Sequence, residues 1–104
     1  MRRFEGQIAI VTGSATGIGF GIASRLGTEG ANLMLVDQDR RLGKQSASEL
    51  AAKGIDVRLK TGDVSYTKVA KDTVQKTLEA WGRIDILVNN AGIAGQAAEI
   101  WKQP

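Results

Sequence analysis

One unit repeats along the chain: a short apolar run, a turn, and a stretch in which apolar side chains recur at helical spacing. Apolar runs of this kind are typical of strands that are covered by helices on both sides. Successive units connect by right-handed crossovers, so they form a parallel sheet. The pattern predicts strands over residues 8–11, 32–36, 55–59 and 84–88, and helices over 18–29, 40–53 and 66–81. We therefore expect an α/β fold with strand order 3-2-1-4 and helices on both faces of the sheet.

The sequence also predicts where the helices begin and end and which sides face the sheet. Asp39 is a candidate N-cap of the second helix, and Ser65 is a candidate N-cap of the third. A glycine follows each helical stretch as a stop signal, at Gly30, Gly54 and Gly82. The residues expected to face inward are Leu42, Ala47 and Leu50 in the second helix, and Ala70, Val74, Leu78 and Trp81 in the third.

The turn after the first strand is rich in glycine, at Gly13, Gly17 and Gly19. Residues without a Cβ allow a tight turn and a close approach of the backbone to a ligand. The helix that follows directs its free N–H groups and the positive end of its dipole into this turn, which favours a phosphate. The first strand, the turn and the helix therefore predict a nucleotide-phosphate site. The spacing is Thr-Gly-x-x-x-Gly-x-Gly over residues 12–19, and no Gly-Lys-Ser/Thr of a P-loop is present.

Composition excludes several other functions. The chain of 104 residues is long enough for one small domain, and it contains neither cysteine nor histidine. Disulfides, thiolate metal sites and a Ser-His-Asp hydrolase site are thereby excluded, and no metal site is expected. The net charge of +3 comes from basic residues that alternate with acidic ones, so we expect solvated helix faces and no nucleic-acid binding. Because no apolar stretch suits a signal peptide or a membrane span, we expect no membrane association and a cytoplasmic location.

Asp37 ends the second strand, 18 residues after Gly19. A carboxylate at this point can accept hydrogen bonds from both ribose hydroxyls of an adenosine, and it repels the 2′-phosphate of NADP. The alternative is a turn or cap residue, a role that Asp39 can fill equally well. Arg40 and Arg41 follow closely and are able to bind a 2′-phosphate. The carboxylate nevertheless favours NAD over NADP.

Two further strand ends carry candidate residues. Asp63 and Val64 follow the third strand, where a carboxylate can accept from an adenine amino group and a valine can pack on the ring. The alternative for Asp63 is a loop residue that caps the third helix. Asn89-Asn90-Ala91-Gly92 follow the fourth strand, where amides tie strands together and small residues leave room for a ribose. For Asn89 we favour the structural role.

These motifs, in this order, resemble the short-chain dehydrogenase/reductase family over nearly the whole chain. The resemblance implies a Rossmann-type fold and an oxidoreductase that transfers hydride between NAD and an alcohol or ketone, with homo-oligomers at full length. It implies that the glycine turn holds the pyrophosphate, Asp37 the ribose, and Asp63 and Val64 the adenine, while Asn90 to Gly92 lie along the cofactor. The predicted cofactor-binding residues are Gly13, Ser14, Thr16, Gly17, Ile18, Gly19, Asp37, Asp63, Val64, Asn90, Ala91 and Gly92.

The chain departs from the family in its catalytic residues. Members of the family use a serine and a Tyr-x-x-x-Lys pair that follow the Asn-Asn-Ala-Gly motif. Tyr66 is the single tyrosine and Ala70 stands four residues after it, while Lys68 and Lys71 have the wrong spacing. We therefore predict no catalytic residue in this chain. The fourth strand is also apolar enough for a central position, although the order places it at an edge. Residues 1–104 are accordingly expected to be the N-terminal part of a longer dinucleotide-binding domain.

Two alternatives remain open from the sequence. One is a non-catalytic dinucleotide-binding module with a regulatory role. The other is an adenosylmethionine-dependent methyltransferase, which also has a glycine turn after its first strand and an acid after its second. The long turn, the helix that begins at Ile18 and the Asn89 to Gly92 loop all suit phosphates, and they count against the methyltransferase.

Overall fold

Four parallel strands and three helices alternate along the chain in the computed structural model, which describes residues 2–15 and 17–90. The sheet has the order β3-β2-β1-β4, which confirms the predicted topology. The elements are β1 Ile8–Thr12, α1 Gly17–Thr28, β2 Asn32–Asp37, α2 Arg40–Ala51, β3 Val57–Thr61, α3 Thr67–Trp81 and β4 Ile86–Asn89.

The strand β1 lies in the middle of the sheet. It pairs with β2, where Ile10 lies opposite Met34, and with β4, where Ile10 lies opposite Leu87. All five residues of β1 are buried. Two-sided burial explains why this strand is apolar on both faces.

Two apolar clusters cover the opposite faces of the sheet. Ala9, Val11, Leu33 and Leu35 pack with α1 and α2, whereas Ile10, Met34 and Val36 pack with α3. The two sets alternate along β1 and β2 because successive side chains of a strand point to opposite faces. The helices therefore lie on both faces, as predicted.

The strand β3 begins two residues later than predicted. Ile55 precedes it and lies over α1, where its Cδ1 is only 2.6 Å from the position that a Cβ of Gly27 would occupy. Its backbone N–H donates to the Leu50 carbonyl at the end of α2, at 3.4 Å. Ile55 thus belongs to the connection between α2 and β3, and the predicted strand over 55–59 was misplaced.

The strand β4 also begins two residues later than predicted. Ile84 packs against the α3 cluster, and Asp85 is bound to the start of β1. The Ile8 N–H donates to Asp85 Oδ2 at 2.8 Å, and the Asp85 N–H donates to the Ile8 carbonyl at 2.9 Å. A side-chain carboxylate therefore accepts the hydrogen bond that a strand carbonyl would otherwise accept, and the regular ladder begins at Ile86.

Two predictions about α3 were wrong. Its N-cap is Tyr66, which makes no side-chain capping bond, whereas Ser65 donates its hydroxyl to Asp63 Oδ1 at 2.7 Å. Leu78 is 40% exposed, and the buried residues of the helix are Ala70, Thr73 and Thr77. Leu78 therefore lies outside the inward side of α3, which holds the predicted Ala70, Val74 and Trp81 together with Thr73 and Thr77.

The ends of the other two helices agree with the predicted ends to within two residues. Asp39 Oδ1 accepts the Leu42 N–H at 2.9 Å, which confirms the cap of α2, although this helix ends at Ala51. The α1 helix begins at Gly17 and ends at Thr28. The stop glycines have left-handed φ angles of +103° at Gly30, +86° at Gly54 and +79° at Gly82. None of the helices within residues 2–15 and 17–90 is long and apolar enough to cross a membrane.

Candidate functional site

The glycine turn joins the end of β1 to the start of α1. Gly13 and Gly17 have φ angles of +62° and +57°, a region in which other residues are strained. The Gly13 N–H donates to the Val36 carbonyl at 2.8 Å, which ties the turn to β2. A Cβ at Gly17 would meet no atom within 4 Å, and Ile18 is 74% exposed. The first turn of α1 therefore faces open space, as an anion site at a helix N-terminus requires.

Ala15 in this turn is held from two sides. Its N–H donates to Asp37 Oδ2 at the end of β2, and its carbonyl accepts the Ser46 hydroxyl from α2, both at 2.9 Å. The other carboxylate oxygen of Asp37, Oδ1, accepts the Asp39 N–H at 2.9 Å. Asp37 is therefore fixed beside the turn, and each of its oxygens keeps a lone pair for another donor.

The sequence did not single out Ser46, although a signal was present. Gly43, Ser46 and Leu50 recur at steps of three and four and form the buried side of α2. A polar residue on such a side is unusual unless it has a partner. That signal indicates a polar contact inward, but it does not identify the partner as the glycine turn.

The end of β4 reaches the same turn. Asn90 donates from Nδ2 to the Gly13 carbonyl at 3.2 Å, so the two predicted loops do converge. The Thr12 hydroxyl lies 3.3 Å from both the Val88 carbonyl and Asn89 Oδ1, which supports the structural role expected for Asn89. Thr16, Ala91 and Gly92 lie outside the described residues.

Asp63 and Val64 follow β3, and the Gly62 N–H donates to the Asp37 carbonyl at 2.9 Å. Asp63 Oδ1 accepts the Ser65 hydroxyl and the Ser65 N–H, and these bonds lower the pKa of the Asp63 carboxyl. The carboxylate closes a turn ahead of α3 without capping the helix. Its Oδ2 has no hydrogen-bond partner among residues 2–15 and 17–90.

Val64 differs from the expectation. Its side chain is only 4% exposed and lies in the cluster of Ile10, Met34, Val36 and Ala70. Because this side chain packs against the core, it does not offer the expected surface to an adenine ring. We therefore correct that expectation and assign the Val64 side chain to the core.

Two basic side chains of α2 take no part in the contacts around Asp37 and Asp63 described above. Arg40 and Lys44 line an open groove of about 660 Å³ between α2 and β3, together with Leu59 and Thr61. In the part of the chain that the structure describes, no group of three or more acidic side chains is arranged to hold a metal ion. Tyr66 is 66% exposed at the start of α3.

The comparisons with known proteins agree with this arrangement. A family profile described as short chain dehydrogenase matches residues 7–103. Tropinone reductase-like 3 of Erythroxylum coca is 42% identical over 90 residues, which are 86% of this chain and 35% of that protein. The chain thus spans about a third of the length of the curated relatives that it matches.

Solved structures share the fold. A short-chain dehydrogenase/reductase from Burkholderia phymatum in complex with NAD superimposes with a TM-score of 0.84 at 33% identity, over 88% of this chain and 33% of that one. L-Sorbose reductase from Gluconobacter frateurii, complexed with NADPH and L-sorbose, superimposes with a TM-score of 0.83 at 34% identity, over 90% of this chain and 36% of that one. The topology, the glycine turn and the family profile together identify the chain as a member of the short-chain dehydrogenase/reductase family.

Proposed function

We propose that this chain forms the cofactor-binding portion of an NAD-dependent oxidoreductase that transfers hydride between the cofactor and an alcohol or ketone. The observation that carries the proposal is the carboxylate of Asp37, which two backbone N–H groups hold beside the glycine turn. Similarity to proteins solved with NAD and with NADPH supports the dinucleotide, but these proteins differ in which of the two they bind.

The preference for NAD rests on the fixed position of Asp37. Each of its oxygens accepts one backbone N–H and has a remaining lone pair for a ribose hydroxyl. A carboxylate that cannot rotate freely repels a 2′-phosphate at the same place, since both groups are negative. Arg40 lines the groove between α2 and β3, and within residues 2–15 and 17–90 it makes no hydrogen bond or ion pair with Asp37. We therefore favour NAD, and we keep NADP as the weaker candidate.

The other cofactor contacts follow from the same arrangement. We assign the pyrophosphate to the turn and the first residues of α1, the adenine amino group to Asp63 Oδ2, and the remaining cofactor to the loop after β4. The proposed residues are Gly13, Ser14, Thr16, Gly17, Ile18, Gly19, Asp37, Asp63, Asn90, Ala91 and Gly92, with Val64 contributing through its backbone.

The chemistry of the reaction requires groups that this chain lacks. A bound nicotinamide supplies the hydride, but reduction of a carbonyl also needs a proton donor. Tyr66 has Ala70 four residues after it, and no Tyr-x-x-x-Lys occurs in the 104 residues. We therefore propose that these residues bind and orient the cofactor.

Titration of the purified chain with NAD and NADP tests the proposal. We expect Asp37→Ala to weaken NAD binding roughly tenfold or more, since it removes hydrogen bonds to a charged group. We also expect Asp37→Asn, which keeps the shape of the side chain but not its charge, to reduce the preference for NAD over NADP. Asp39→Ala is the matched control, because its carboxylate faces the Leu42 N–H. Equal affinities in the Asp37 and Asp39 variants would show that the ribose role is wrong.

A further inference from the structure

We propose that Ser46 is a positioning residue that holds the glycine turn in the shape that accepts a pyrophosphate, an inference that rests on the proposed function. Ser46 is 5% exposed, and its hydroxyl donates to the Ala15 carbonyl at 2.9 Å. The N–H of the same residue, Ala15, donates to Asp37. Both backbone polar groups of Ala15 are therefore fixed, one by α2 and one by the end of β2.

The buried hydroxyl of Ser46 donates to a carbonyl of the turn rather than to a carbonyl of its own helix. On α3 the buried hydroxyls of Thr73 and Thr77 return to carbonyls four residues earlier in the same helix, each at 2.7 Å. The Ser46 hydroxyl instead spans 31 residues of sequence to reach Ala15. A hydroxyl that is buried without a partner destabilises a protein, so this contact accounts for a polar residue on the inward side of α2.

The close approach of α2 brings this hydroxyl within reach. Gly43 lies one helical turn before Ser46, and a Cβ there would be 3.1 Å from Cδ1 of Leu59 and 3.8 Å from Cβ of Asp37. The helix therefore packs near the ends of β2 and β3 without a side chain between. Ser46 thus faces the turn from a rigid element rather than from a loop.

Among residues 2–15 and 17–90, Ser46 is the one residue of α2 that donates a side-chain hydrogen bond to the turn. A cavity of about 260 Å³ lies between the turn and α2, lined by Ala15, Gly17, Phe20 and Ser46 among others. Beside this cavity, the hydrogen bond from Ser46 restrains the Ala15 carbonyl. A carbonyl oxygen that rotated toward a bound pyrophosphate would repel it. Holding this oxygen on α2 therefore lowers the cost of ordering the turn when a phosphate binds.

Ser46→Ala in the 104-residue chain tests the inference, with Ser48→Ala as the matched control. Ser48 lies two residues further along α2, is exposed, and makes no side-chain hydrogen bond within residues 2–15 and 17–90. We expect Ser46→Ala to lower the affinity for NAD and for ADP roughly two- to tenfold, which is the effect of losing one hydrogen bond. The affinity for adenosine should stay unchanged. Ser46→Thr keeps the hydroxyl, and Ser46 lines the cavity of about 260 Å³, so we expect this variant to retain ADP affinity.

A second readout does not depend on a ligand. Hydrogen exchange of the Ala15 amide should become faster in Ser46→Ala but not in Ser48→Ala. Unchanged ADP affinity with unchanged Ala15 exchange would overturn the inference. An equal loss of ADP and adenosine affinity would also overturn it, because Ser46 would then support the whole fold. If the unaltered chain binds neither NAD nor ADP, the proposed function fails, while the exchange comparison still decides whether Ser46 holds the turn.

Discussion

Gly17 and Gly19 are glycines for different physical reasons. Gly17 has a left-handed backbone and open space where its side chain would be. Gly19 lies within α1, but a Cβ there would be 2.0 Å from the Gly13 carbonyl oxygen and 2.9 Å from Asn90 Nδ2. The spacing of the motif predicted that these residues shape the turn. It could not show that Gly19 makes room for the protein's own backbone, because this depends on how the turn folds back on the helix.

Gly19→Ala should therefore damage the turn, whereas Gly21→Ala should not. We expect Gly19→Ala to lower the free energy of unfolding by about 1–3 kcal/mol through overpacking, and to reduce NAD affinity at least as strongly as Asp37→Ala. A Cβ at Gly21 meets nothing within 4 Å, so that variant should gain about 1 kcal/mol of stability from helix propensity. Urea unfolding and calorimetry measure both effects. Retained NAD affinity in Gly19→Ala would contradict the assigned phosphate site.

Glu29 gives the fold a specific dependence on pH. Its side chain is 7% exposed, accepts from Arg3 Nε at 2.6 Å and Arg3 Nη2 at 3.2 Å, and also accepts from Arg25 Nε. The hydrogen bonds from Arg3 and then Arg25 lower the pKa of the Glu29 carboxyl from 4.5 to about 2. The unfolded chain therefore takes up this proton at a higher pH than the folded chain does.

The stability that Glu29 contributes should be complete above pH 4.5 and should disappear as the pH falls toward about 2. Urea unfolding of the unaltered chain and of Glu29→Gln across this interval isolates the effect from other carboxylates. We expect the difference between the two proteins to shrink steadily on acidification. A difference that stays constant with pH would mean that Glu29 has an ordinary pKa.

At the scale of elements, α3 shows what an apolar pattern cannot predict. Leu78 was expected inside because leucine is apolar, and Thr77 was not among the residues expected to face inward. In the fold Thr77 is fully buried, its hydroxyl satisfied by the Thr73 carbonyl, and Leu78 is 40% exposed. A threonine that bonds to its own helix behaves as a small residue and permits close packing against the sheet. Its burial follows from that packing and not from its polarity.

Substitutions of Thr77 and Leu78 test which of these two side chains faces the sheet. Thr77→Lys introduces a charge into a site with no exposure, so we expect it to lower the free energy of unfolding by about 3–4 kcal/mol. Leu78→Lys should cost less than about 1 kcal/mol, since its side chain can reach water. Chemical denaturation measures both. The reverse ranking would show that Leu78, and not Thr77, faces the sheet.

Element boundaries were the least predictable part of the fold. The sequence favoured Ile55 as a strand residue because isoleucine is common in strands, but its position over Gly27 is a contact between segments far apart in the chain. Ser65 was a reasonable helix cap by residue type, yet the nearby Asp63 carboxylate accepts its hydroxyl. In both cases a tertiary or local side-chain contact outweighed an intrinsic preference.

At the scale of the whole molecule, both apolar clusters share β1 and β2. Strand order, the two covered faces and the meeting of the glycine turn with Asn90 were all predictable, because parallel strands bring their carboxyl ends to one edge. The role of Ser46 was not predictable, since it depends on how closely α2 packs. Because β1 and β2 contribute side chains to the clusters on both faces, we expect the two faces to unfold together.

Leu50→Ala tests this coupling between faces. Leu50 is fully buried on α2, so its truncation should lower the free energy of unfolding by about 2–5 kcal/mol. Trp81 packs in the opposite cluster, and in a Trp101→Phe background its fluorescence reports on that face. We expect fluorescence and far-ultraviolet circular dichroism to shift to the same lower denaturant concentration. Separate transitions would mean that the two faces unfold independently.

The hydrogen-bonded pair of Ile8 and Asp85 joins positions 77 residues apart, and this separation matters during synthesis. β1 acquires its first neighbour when the ribosome has made β2, but its other edge waits for β4, about 50 residues later. At translation speeds of about 5–20 residues per second, the most buried strand of the fold keeps one open edge for roughly 2 to 10 seconds. An open apolar edge pairs readily with other chains. The nascent protein is therefore most vulnerable to aggregation in this interval, when shielding by the ribosome or a chaperone would protect it most.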